Sequence, residues 1–570
     1  MHAWKIVGAG RFANYMLDPS IIAAFSGDVP LDQLRRRLET FFPKNTTEAA
    51  RIQAIETILR SPLGLSLRET MARWIVDEIV PVEKLIPEAY LKWRPPVREA
   101  MIFVVSHLSP ARLAPKLLEQ IDLPAKTSAE TRLLHLISKV PGLQKLGQVI
   151  ARNQHLSPAL RKALARLENG IHDVTPVVIR EIIHQELGLQ LRKFSVVIGS
   201  NILKEASVSA VVRFTWQNPA TGIRERGVFK VLKPHIPEYF TEDMEYLHKL
   251  AEHFGDAHHR YGLPSHLLPD TFQKVRRLLR HEVNFVREQK TLIEAGALYV
   301  GYPGVGVPRL ISPLCTRSIT AITEEPGIKV TNAAVRLPAA RRQRLAQQIV
   351  EALVAVPLLA AAPEAIFHGD PHAGNLLYDE RTARLTMIDW ALRERLDREN
   401  RRHLALLFVL LTLRDRVGLT REVAALSQHR PGVNARQNRI IREVVTRFLD
   451  QLPTSHLPSA ADAMRLLERV AVKGIRFPTS LIILSKVMFT LEGVLADVLG
   501  AEANIGPAIA RHVAQRWIVN RSAFRSPLRT RDWLSIQCSA LLYTGRLCVD
   551  FERQILDRWL KPKPIFVSAA

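Results

Sequence analysis

Cysteine is scarce in this sequence, with only Cys315, Cys538 and Cys548 among 570 residues. Three cysteines are too few and too scattered for a disulfide framework or for a four-ligand zinc site. A chain without disulfides is typical of a reducing compartment, and we therefore predict a cytoplasmic protein.

Long apolar runs are also missing. Residues 404–413 (LALLFVLLTL) supply only half of the roughly 20 residues that a bilayer span requires, and residues 350–363 contain Glu351 and Pro357. The first residues do not form a secretory signal, because Arg11 and Asn14 interrupt them. Both runs predict buried helices of a soluble domain, so any membrane contact would be peripheral, on the inner face of the membrane.

Basic residues are in excess: 79 Lys and Arg against 55 Asp and Glu give a net charge of +24. Such a charge suggests an anionic partner, which could be nucleic acid, a membrane surface or an acidic ligand. The apolar content of 47% is enough for folded cores and excludes a disordered chain. Residues 511–570 alone carry 11 Lys and Arg against 4 Asp and Glu, which indicates a solvated helix face or contact with anionic lipid headgroups.

The order of the predicted elements indicates an α+β fold. Helical patterns run from Leu31 to about Gln190, and segments rich in Val and Phe follow at 194–200, 206–216 and 227–233, where we predict strands. We predict a helical stretch over 238–297, two strands at 307–313 and 318–325, and mainly helices after Pro338, apart from a hairpin at 375–390. A small sheet followed by a helical region with such a hairpin is the chain order of a bilobal, protein-kinase-like nucleotide site.

This order divides the chain into five parts. We predict a helical N-terminal extension, a helical segment that packs on the cleft, a β-rich N-lobe, a helical C-lobe and a basic helical tail, with the limits 1–130, 131–192, 193–330, 331–505 and 506–570.

The segment with the clearest chemistry is HGDPHAGN, residues 368–375. Transfer of a phosphoryl group from ATP needs an acceptor for the proton of the nucleophile and oxygen ligands that hold Mg²⁺ on the phosphates. Kinase-type sites place an Asp and an Asn five positions apart on one loop and a second Asp after a hairpin. Asp370 and Asn375 have this spacing, and Asp389 follows the apolar strand LTMI.

Two other interpretations of this segment are open. A single His-Gly-Asp tripeptide is usually a surface turn, and only the combination of Asp370, Asn375 and Asp389 argues against it. A metal site made of His368, Asp370 and His372 is the other possibility, although no helical pair of histidines lies nearby to complete it.

A lysine lies within the apolar strand VFKV, residues 228–231. It could be an exposed residue of an edge strand, but it could also neutralise phosphate oxygens. Because Lys233 is three positions further on, the two lysines point to opposite faces, and we place Lys230 inward. A carboxylate is then needed to hold it, and Glu282 and Glu288 are both candidates.

Three segments, VFKVLKP, HGDPHAGNLLYD and IDWALRERLD, together resemble the UbiB/AarF (ADCK) family of atypical protein-kinase-like proteins. The resemblance extends from about Leu134 to Leu426. It includes PGLQKLGQ, residues 141–148, which is similar to the KxGQ helix of the family. In the family this helix packs over the nucleotide cleft, where a peptide substrate would otherwise lie.

The resemblance implies an enzyme that binds ATP and Mg²⁺. It implies Lys230 as the phosphate-binding lysine, Asp370 as the catalytic-loop aspartate, and Asn375 and Asp389 as magnesium ligands. Further contacts to the nucleotide are implied for the hinge, the end of the alanine-rich loop and the KxGQ helix, at Glu324, Glu325, Gly327, Ala206, Ser207, Lys145 and Gln148. The implied role lies in isoprenoid-quinone (ubiquinone) biosynthesis or lipid homeostasis, with an unknown small-molecule or lipid acceptor.

The sequence also departs from the family pattern. Lys204 and Glu205 stand where alanines are usual, Asn284 replaces the Asp of the E-x-D pair, and Trp390-Ala391 replaces Phe-Gly after the metal-binding aspartate. These departures keep open a catalytically weak, nucleotide-binding pseudokinase scaffold. A nucleic-acid-binding protein is the third possibility, but the chain has no recognisable module of that kind, and we consider nucleic acid an unlikely partner.

Overall fold

The computed structural model describes residues 46–151, 174–261, 267–427, 435–453, 458–500 and 527–560, apart from residues 87, 125 and 139. Contacts divide the chain into two units. The first runs to Phe285 and includes Ile311–Ile322, and the second comprises Val286–Leu310 and the chain from Thr323 onward. The five domain limits given above stay predictions, and parts of the predicted N-terminal extension, cleft-packing segment and tail lie outside the described residues.

The described part of the first unit is mainly helical. Its helices are α1 (Glu48–Arg60), α2 (Pro62–Trp74), α3 (Val82–Leu85), α4 (Arg94–His107), α5 (Pro110–Asp122), α6 (Ala129–Ile137), α7 (Pro141–Ala151), α8 (Pro176–Lys193), α9 (His235–Ala257) and α10 (Leu267–Glu282). The prolines that punctuate the sequence begin helices at Pro62, Pro110, Pro141 and Pro176. Proline suits this position because its fixed φ is helical and its missing N–H would have no intrahelical acceptor there.

Two apolar clusters fill the first unit. One joins helices α1–α7 to α9 and α10 and includes Trp74, Leu117 and Phe254. In the other, α8 packs on the sheet through four buried residues spaced four positions apart, Ile179, Ile183, Leu187 and Leu191. This spacing places the four side chains on one face of the helix, which explains why α8 lies against the sheet.

The sheet of the first unit has the strand order β1-β2-β3-β5, with β1 (Val197–Glu205), β2 (Ser209–Gln217), β3 (Arg224–Leu232) and β5 (Ile319–Thr323, of which Thr323 belongs to the second unit). Its strands β1, β2 and β3 form an antiparallel meander in which Lys230 is opposite Val211. The strands predicted near 194–200, 206–216, 227–233 and 318–325 are therefore confirmed, with shifted ends. The strand predicted at 307–313 is confirmed only as a single bridge at Leu310, where the N–H of Ile311 donates to the carbonyl of Ala321 at 2.8 Å and the N–H of Thr323 donates to the carbonyl of Arg309 at 2.9 Å. It does not continue as a ladder, because Pro308 and Pro313 lack the N–H groups that a ladder needs. A two-residue strand, Val305–Gly306 (β4), lies just before it.

The second unit is also mainly helical. Its helices are α11 (Phe285–Leu298, of which Phe285 belongs to the first unit), α12 (Val330–Arg336), α13 (Ala339–Val350), α14 (Val356–Leu358), α15 (Arg398–Thr412), α16 (Arg416–Leu426), α17 (Ala435–Gln451), α18 (Ala460–Val472), α19 (Thr479–Leu499) and α20 (Thr530–Leu560). Both apolar runs of the sequence form buried helical segments here, as predicted, at α15 and around Ala352–Val356. Within the described ranges, no helix has the length and apolar content that a bilayer span requires.

Two small sheets complete the second unit. One has the order β4-β9-β8-β6, in which the predicted hairpin is formed by β8 (Leu376–Asp379) and β9 (Arg384–Met387), and β6 is Ile328–Lys329. The other pairs β7 (Glu364–His368) with β10 (Arg393–Asp397). These last two strands were not predicted from the sequence. The predicted α+β class is confirmed.

Candidate functional site

The segment HGDPHAGN folds into a tight loop between β7 and β8. The backbone N–H of His372 donates to the carbonyl of Asp370 at 2.9 Å, and that of Asn375 donates to the carbonyl of His372 at 2.9 Å. The side-chain amide of Asn375 closes the loop by donating to the carbonyl of Asp370 at 3.1 Å. Gly369 is required at its position, because a Cβ would lie 2.9 Å from the carbonyl carbon of Leu392. The five-residue spacing thus brings Asp370 and Asn375 together.

The hairpin β8–β9 brings Asp389 back to the same loop. Leu376 is opposite Met387, and the N–H of Ile388 donates to the carbonyl of Asn375 at 2.9 Å. Asp389 follows directly and has a φ of +61°, which is the left-handed region. Few non-glycine residues adopt this conformation, and such strain is concentrated at functional sites.

His368 connects the loop to the hairpin. Its ring is buried, Nε2–H donates to the carbonyl of Ile388 at 3.0 Å, and Nδ1 accepts from the N–H of Asp370 at 3.2 Å. Burial lowers the pKa of His368 below its ordinary value of 6.5, so the ring is neutral. Because both nitrogens are engaged, His368 is unsuited to bind a metal. Among the described residues, no group of three or more His, Cys, Asp and Glu could hold a metal ion, which argues against the metal site of His368, Asp370 and His372.

Asn375 has one polar atom that the protein does not use. It is 2% exposed, its amide nitrogen is bound to the Asp370 carbonyl, and its Oδ1 is buried with no hydrogen-bond partner among the residues that the structure describes. A buried carbonyl-type oxygen without a donor is costly. Mg²⁺ is a hard cation that prefers such oxygens and is held by one or two side chains together with phosphates. The Oδ1 of Asn375 therefore fits a magnesium ion, and the carboxylate of Asp389 is a ligand of the type that Mg²⁺ prefers.

One residue near Asp370 was missed by the sequence analysis. Lys486, on α19, places Nζ 3.5 Å from Oδ1 of Asp370. The two residues are separated by 116 positions, and nothing in the sequence around Lys486 resembles a motif.

Trp390 occupies the position where the family has phenylalanine. Its side chain is fully buried, its Nε1–H donates to the carbonyl of Met387 at 3.1 Å, and its ring contacts that of His368 with a centroid distance of 4.8 Å. The larger ring is thus accommodated in the core beside Asp389. This departure from the family pattern fills a packed position, and Asp389 itself is retained.

In the first unit, Lys230 lies on β3 and is partly buried. Its ammonium is 5.5 Å from the ring centroid of Phe285, at the start of α11. Glu282 forms an ion pair with Lys145 of α7, and both side chains are mostly buried. This contact joins the KxGQ-like helix to the Glu-Val-Asn segment. The pairing of Lys230 with either Glu282 or Glu288 stays a prediction.

A buried network anchors the start of α7. Asp243 on α9 accepts from the backbone N–H of Gly142 at 2.7 Å and pairs with Arg112 of α5 at 2.6 Å. Gly142 allows this close approach, because a Cβ there would clash with the hydroxyl of Tyr246. Helix α9 therefore holds the start of α7, and Arg112 of α5 holds the carboxylate that makes this contact. Gln148 lies on α7 as well, but its side chain is outside the described residues.

The two residues that replace alanines have different environments. Lys204 is exposed, whereas Glu205 is fully buried at the end of β1 and pairs with Lys233 at 2.8 Å. Lys233 is likewise fully buried. Opposite faces for Lys230 and Lys233 were expected, but the sequence analysis did not foresee that Lys233 would be the more deeply buried of the two.

The remaining predicted residues lie in turns. Ala206 and Ser207 form the β1–β2 turn, where the N–H of Ala206 donates to the carbonyl of Ser209 at 2.8 Å. In the second unit, Glu325 accepts from the hydroxyl of Thr323 at 2.6 Å, and Glu324 precedes it. Gly327 has a φ of +116° and lies against Tyr378, so that a Cβ would be 2.7 Å from its carbonyl. The nucleotide contacts assigned to these residues stay predictions.

A comparison with protein-family models identifies the fold of the central part of the chain. Residues 166–423 match the ABC1 atypical kinase-like domain. This part of the chain is an ABC1 atypical kinase-like domain. The resemblance to the UbiB/AarF family that the sequence motifs indicated is confirmed, and the chain has the kinase-like fold.

The chain is also similar to curated proteins that are named as kinases. It is 23% identical over 357 residues to "Protein ACTIVITY OF BC1 COMPLEX KINASE 7, chloroplastic" of Arabidopsis thaliana, covering 62% of this chain and 50% of the plant protein. It is 23% identical over 399 residues to "Probable protein kinase UbiB" of Haemophilus ducreyi (68% and 70%), and 27% identical over 422 residues to the protein of the same name from Xanthomonas axonopodis pv. citri (72% and 73%). The chain thus spans half of the plant relative and about 70% of the bacterial ones.

Among solved structures, the chain is similar to the complex of Rv3197 with erythromycin from Mycobacterium tuberculosis. The two are 16% identical with a TM-score of 0.42, and the match covers 64% of this chain and 89% of the other.

Proposed function

We propose that this ABC1 protein binds ATP with Mg²⁺ and transfers the γ-phosphoryl group to water or to a small-molecule or lipid acceptor. The observation that carries the proposal is the arrangement of Asp370, Asn375 and Asp389 on one hydrogen-bonded loop and hairpin, with the Oδ1 of Asn375 buried and lacking a donor.

In this mechanism each residue of the loop has one task. Mg²⁺, when bound, neutralises charge on the phosphates. Asn375 and Asp389 would supply oxygen ligands for it, and the left-handed backbone of Asp389 sets the direction in which its side chain leaves the backbone. Asp370 orients the attacking oxygen and accepts its proton. Lys230 is expected to neutralise phosphate oxygens. Most of the rate gain would come from positioning and charge stabilisation.

Replacing Asp389 with asparagine tests the proposal. We expect MgATP to raise the melting temperature of the wild type, because a ligand that binds only the folded state stabilises it. The D389N variant should lose the magnesium-dependent part of this shift and hydrolyse ATP about 100-fold more slowly, in the range found when one stabilising group is removed. Thermal unfolding with ATP plus Mg²⁺ or EDTA, together with phosphate release, measures both effects.

The matched control is Asp497→Asn, an exposed aspartate on α19, which should behave as the wild type. If neither wild type nor D389N binds nucleotide or releases phosphate, with or without anionic liposomes, the enzymatic proposal is wrong. A magnesium-dependent thermal shift without phosphate release would instead support the pseudokinase scaffold. The biological setting that we propose is isoprenoid-quinone (ubiquinone) biosynthesis or lipid homeostasis at the membrane surface.

A feature of α20 favours an anionic membrane as a partner. One face of this helix is anchored, because Asp532 pairs with Arg402 at 2.6 Å and Ser539 donates to Asp415 at 2.8 Å. Leu534, Leu541 and Leu542 are exposed, with exposed fractions of 60%, 74% and 67%. Leu534 and Leu541 lie on the face opposite the anchored one, and Leu542 lies beside them. Exposed apolar residues in a basic segment are typical of helices that lie on a membrane surface.

Glutamates at the exposed leucines test this contact. We expect the wild type to float with vesicles that contain phosphatidylglycerol, to bind less to phosphatidylcholine vesicles, and to be released by high salt, because surface charges are screened. The L541E/L542E variant should bind several-fold less, whereas Val417→Glu, at a valine of α16 that is 79% exposed, should bind as the wild type. Equal flotation of all three proteins would contradict the assignment of the contact to α20.

A further inference from the structure

Helix α19 contributes a cation to the candidate site from outside the matched domain. The family match ends at residue 423, and Lys486 lies well beyond it. Three residues of α19 are charged: Lys486, Glu492 and Asp497. Glu492 pairs with Arg465 at 2.8 Å, and Asp497 is exposed. Lys486 is the cation of this helix, and its Nζ lies 3.5 Å from Oδ1 of Asp370.

The fold holds this lysine firmly. Leu484, Val487, Met488 and Leu491 surround it in sequence, and each is at most 2% exposed. These apolar contacts fix α19 in the core of the second unit, so the position of the lysine stem does not depend on the ion pair. The side chains of Lys486 and Asp370 are 30% and 17% exposed.

Stability does not explain this ion pair. Partly exposed pairs contribute little to folding, because water screens the charges and the long side chain of lysine loses entropy. The chemistry of Asp370 offers a better reason. A carboxylate that must accept a proton from an attacking oxygen needs one fixed orientation. A cation that binds its remaining oxygen lone pairs holds it in that orientation.

We propose that Lys486 is a positioning residue for phosphoryl transfer: its ammonium holds the carboxylate of Asp370 in the orientation from which that carboxylate accepts the proton of the attacking oxygen. This inference rests on the proposed function. In the reaction, the attacking oxygen forms a bond to the γ-phosphorus, the bond to the β–γ bridging oxygen breaks, and ADP leaves with the bond's electron pair. The proton passes to Asp370, and Lys486 keeps its own protons.

The test compares Lys486→Met and Lys486→Arg in the full chain, with Lys473→Met as a matched control at an exposed lysine that follows α18. We expect K486M to lower kcat about 10- to 100-fold, as the loss of a positioned group does, with KM for MgATP and melting temperature nearly unchanged. K486R should recover most of kcat, because it keeps the charge. K473M should match the wild type.

Three results would overturn the inference. If K486M hydrolyses ATP as fast as an active wild type, Lys486 does not position Asp370. If K486M loses rate together with melting temperature and K486R fails to restore either, the lysine is structural. If the wild type itself releases no phosphate, the proposed function fails and this inference fails with it.

Discussion

Replacing Lys233 with methionine is expected to lower the free energy of unfolding of the first unit by about 3–5 kcal/mol, as for other buried ion pairs that lose one partner. Lys233 and Glu205 are both fully buried, with Nζ 2.8 Å from Oε1. The K233M variant would leave a carboxylate in the core without its cation, and desolvation of that charge would outweigh the apolar contacts that methionine gains. Urea unfolding followed by tryptophan fluorescence measures the loss.

A double variant separates the cost of the uncompensated carboxylate from the effect of the changed apolar contacts. In K233M combined with Glu205→Leu both charges are absent, so most of the lost stability should return, because apolar residues often replace a buried ion pair at no net cost. Lys204→Met, at the exposed neighbour of Glu205, should change the free energy of unfolding by less than about 0.5 kcal/mol. If K233M is as stable as K204M, the buried pair does not contribute as described.

The parts of the site that depend on short sequence distances could be predicted. Asp370 and Asn375 share one loop, and Asp389 is returned to them by a hairpin with an apolar strand on each side. In such segments the local pattern determines the geometry, because turn and strand preferences act over a few residues.

The contacts that connect distant segments could not be predicted. Strand parity placed Lys230 and Lys233 on opposite faces, but it does not tell which face is more deeply buried, and the partner Glu205 lies 28 residues before Lys233. Lys486 reaches Asp370 only through the packing of α19. Strand β10 was missed because four of its five residues are charged, and it is a strand by virtue of its pairing with β7.

Replacing Trp390 with alanine is expected to destabilise the second unit by about 3–5 kcal/mol, the range found when a large buried aromatic residue is truncated. The side chain is fully buried, packs on the ring of His368, and donates from Nε1 to the carbonyl of Met387. Truncation removes these contacts and leaves a cavity directly after Asp389, whose left-handed backbone must be held by its neighbours.

Phenylalanine at position 390 gives the sharper comparison. W390F restores the residue that the family has there and keeps most of the apolar contact, but it loses the hydrogen bond to Met387, so we expect a loss of only about 1–2 kcal/mol. The magnesium-dependent thermal shift with ATP should survive in W390F and be weakened in W390A, because only the cavity frees the backbone of Asp389. Urea unfolding and thermal shifts of both variants measure this difference. Equal stability of W390A and wild type would show that Trp390 does not fix this turn, and loss of the magnesium effect in W390F alone would assign the hydrogen bond, and not the packing, to that task.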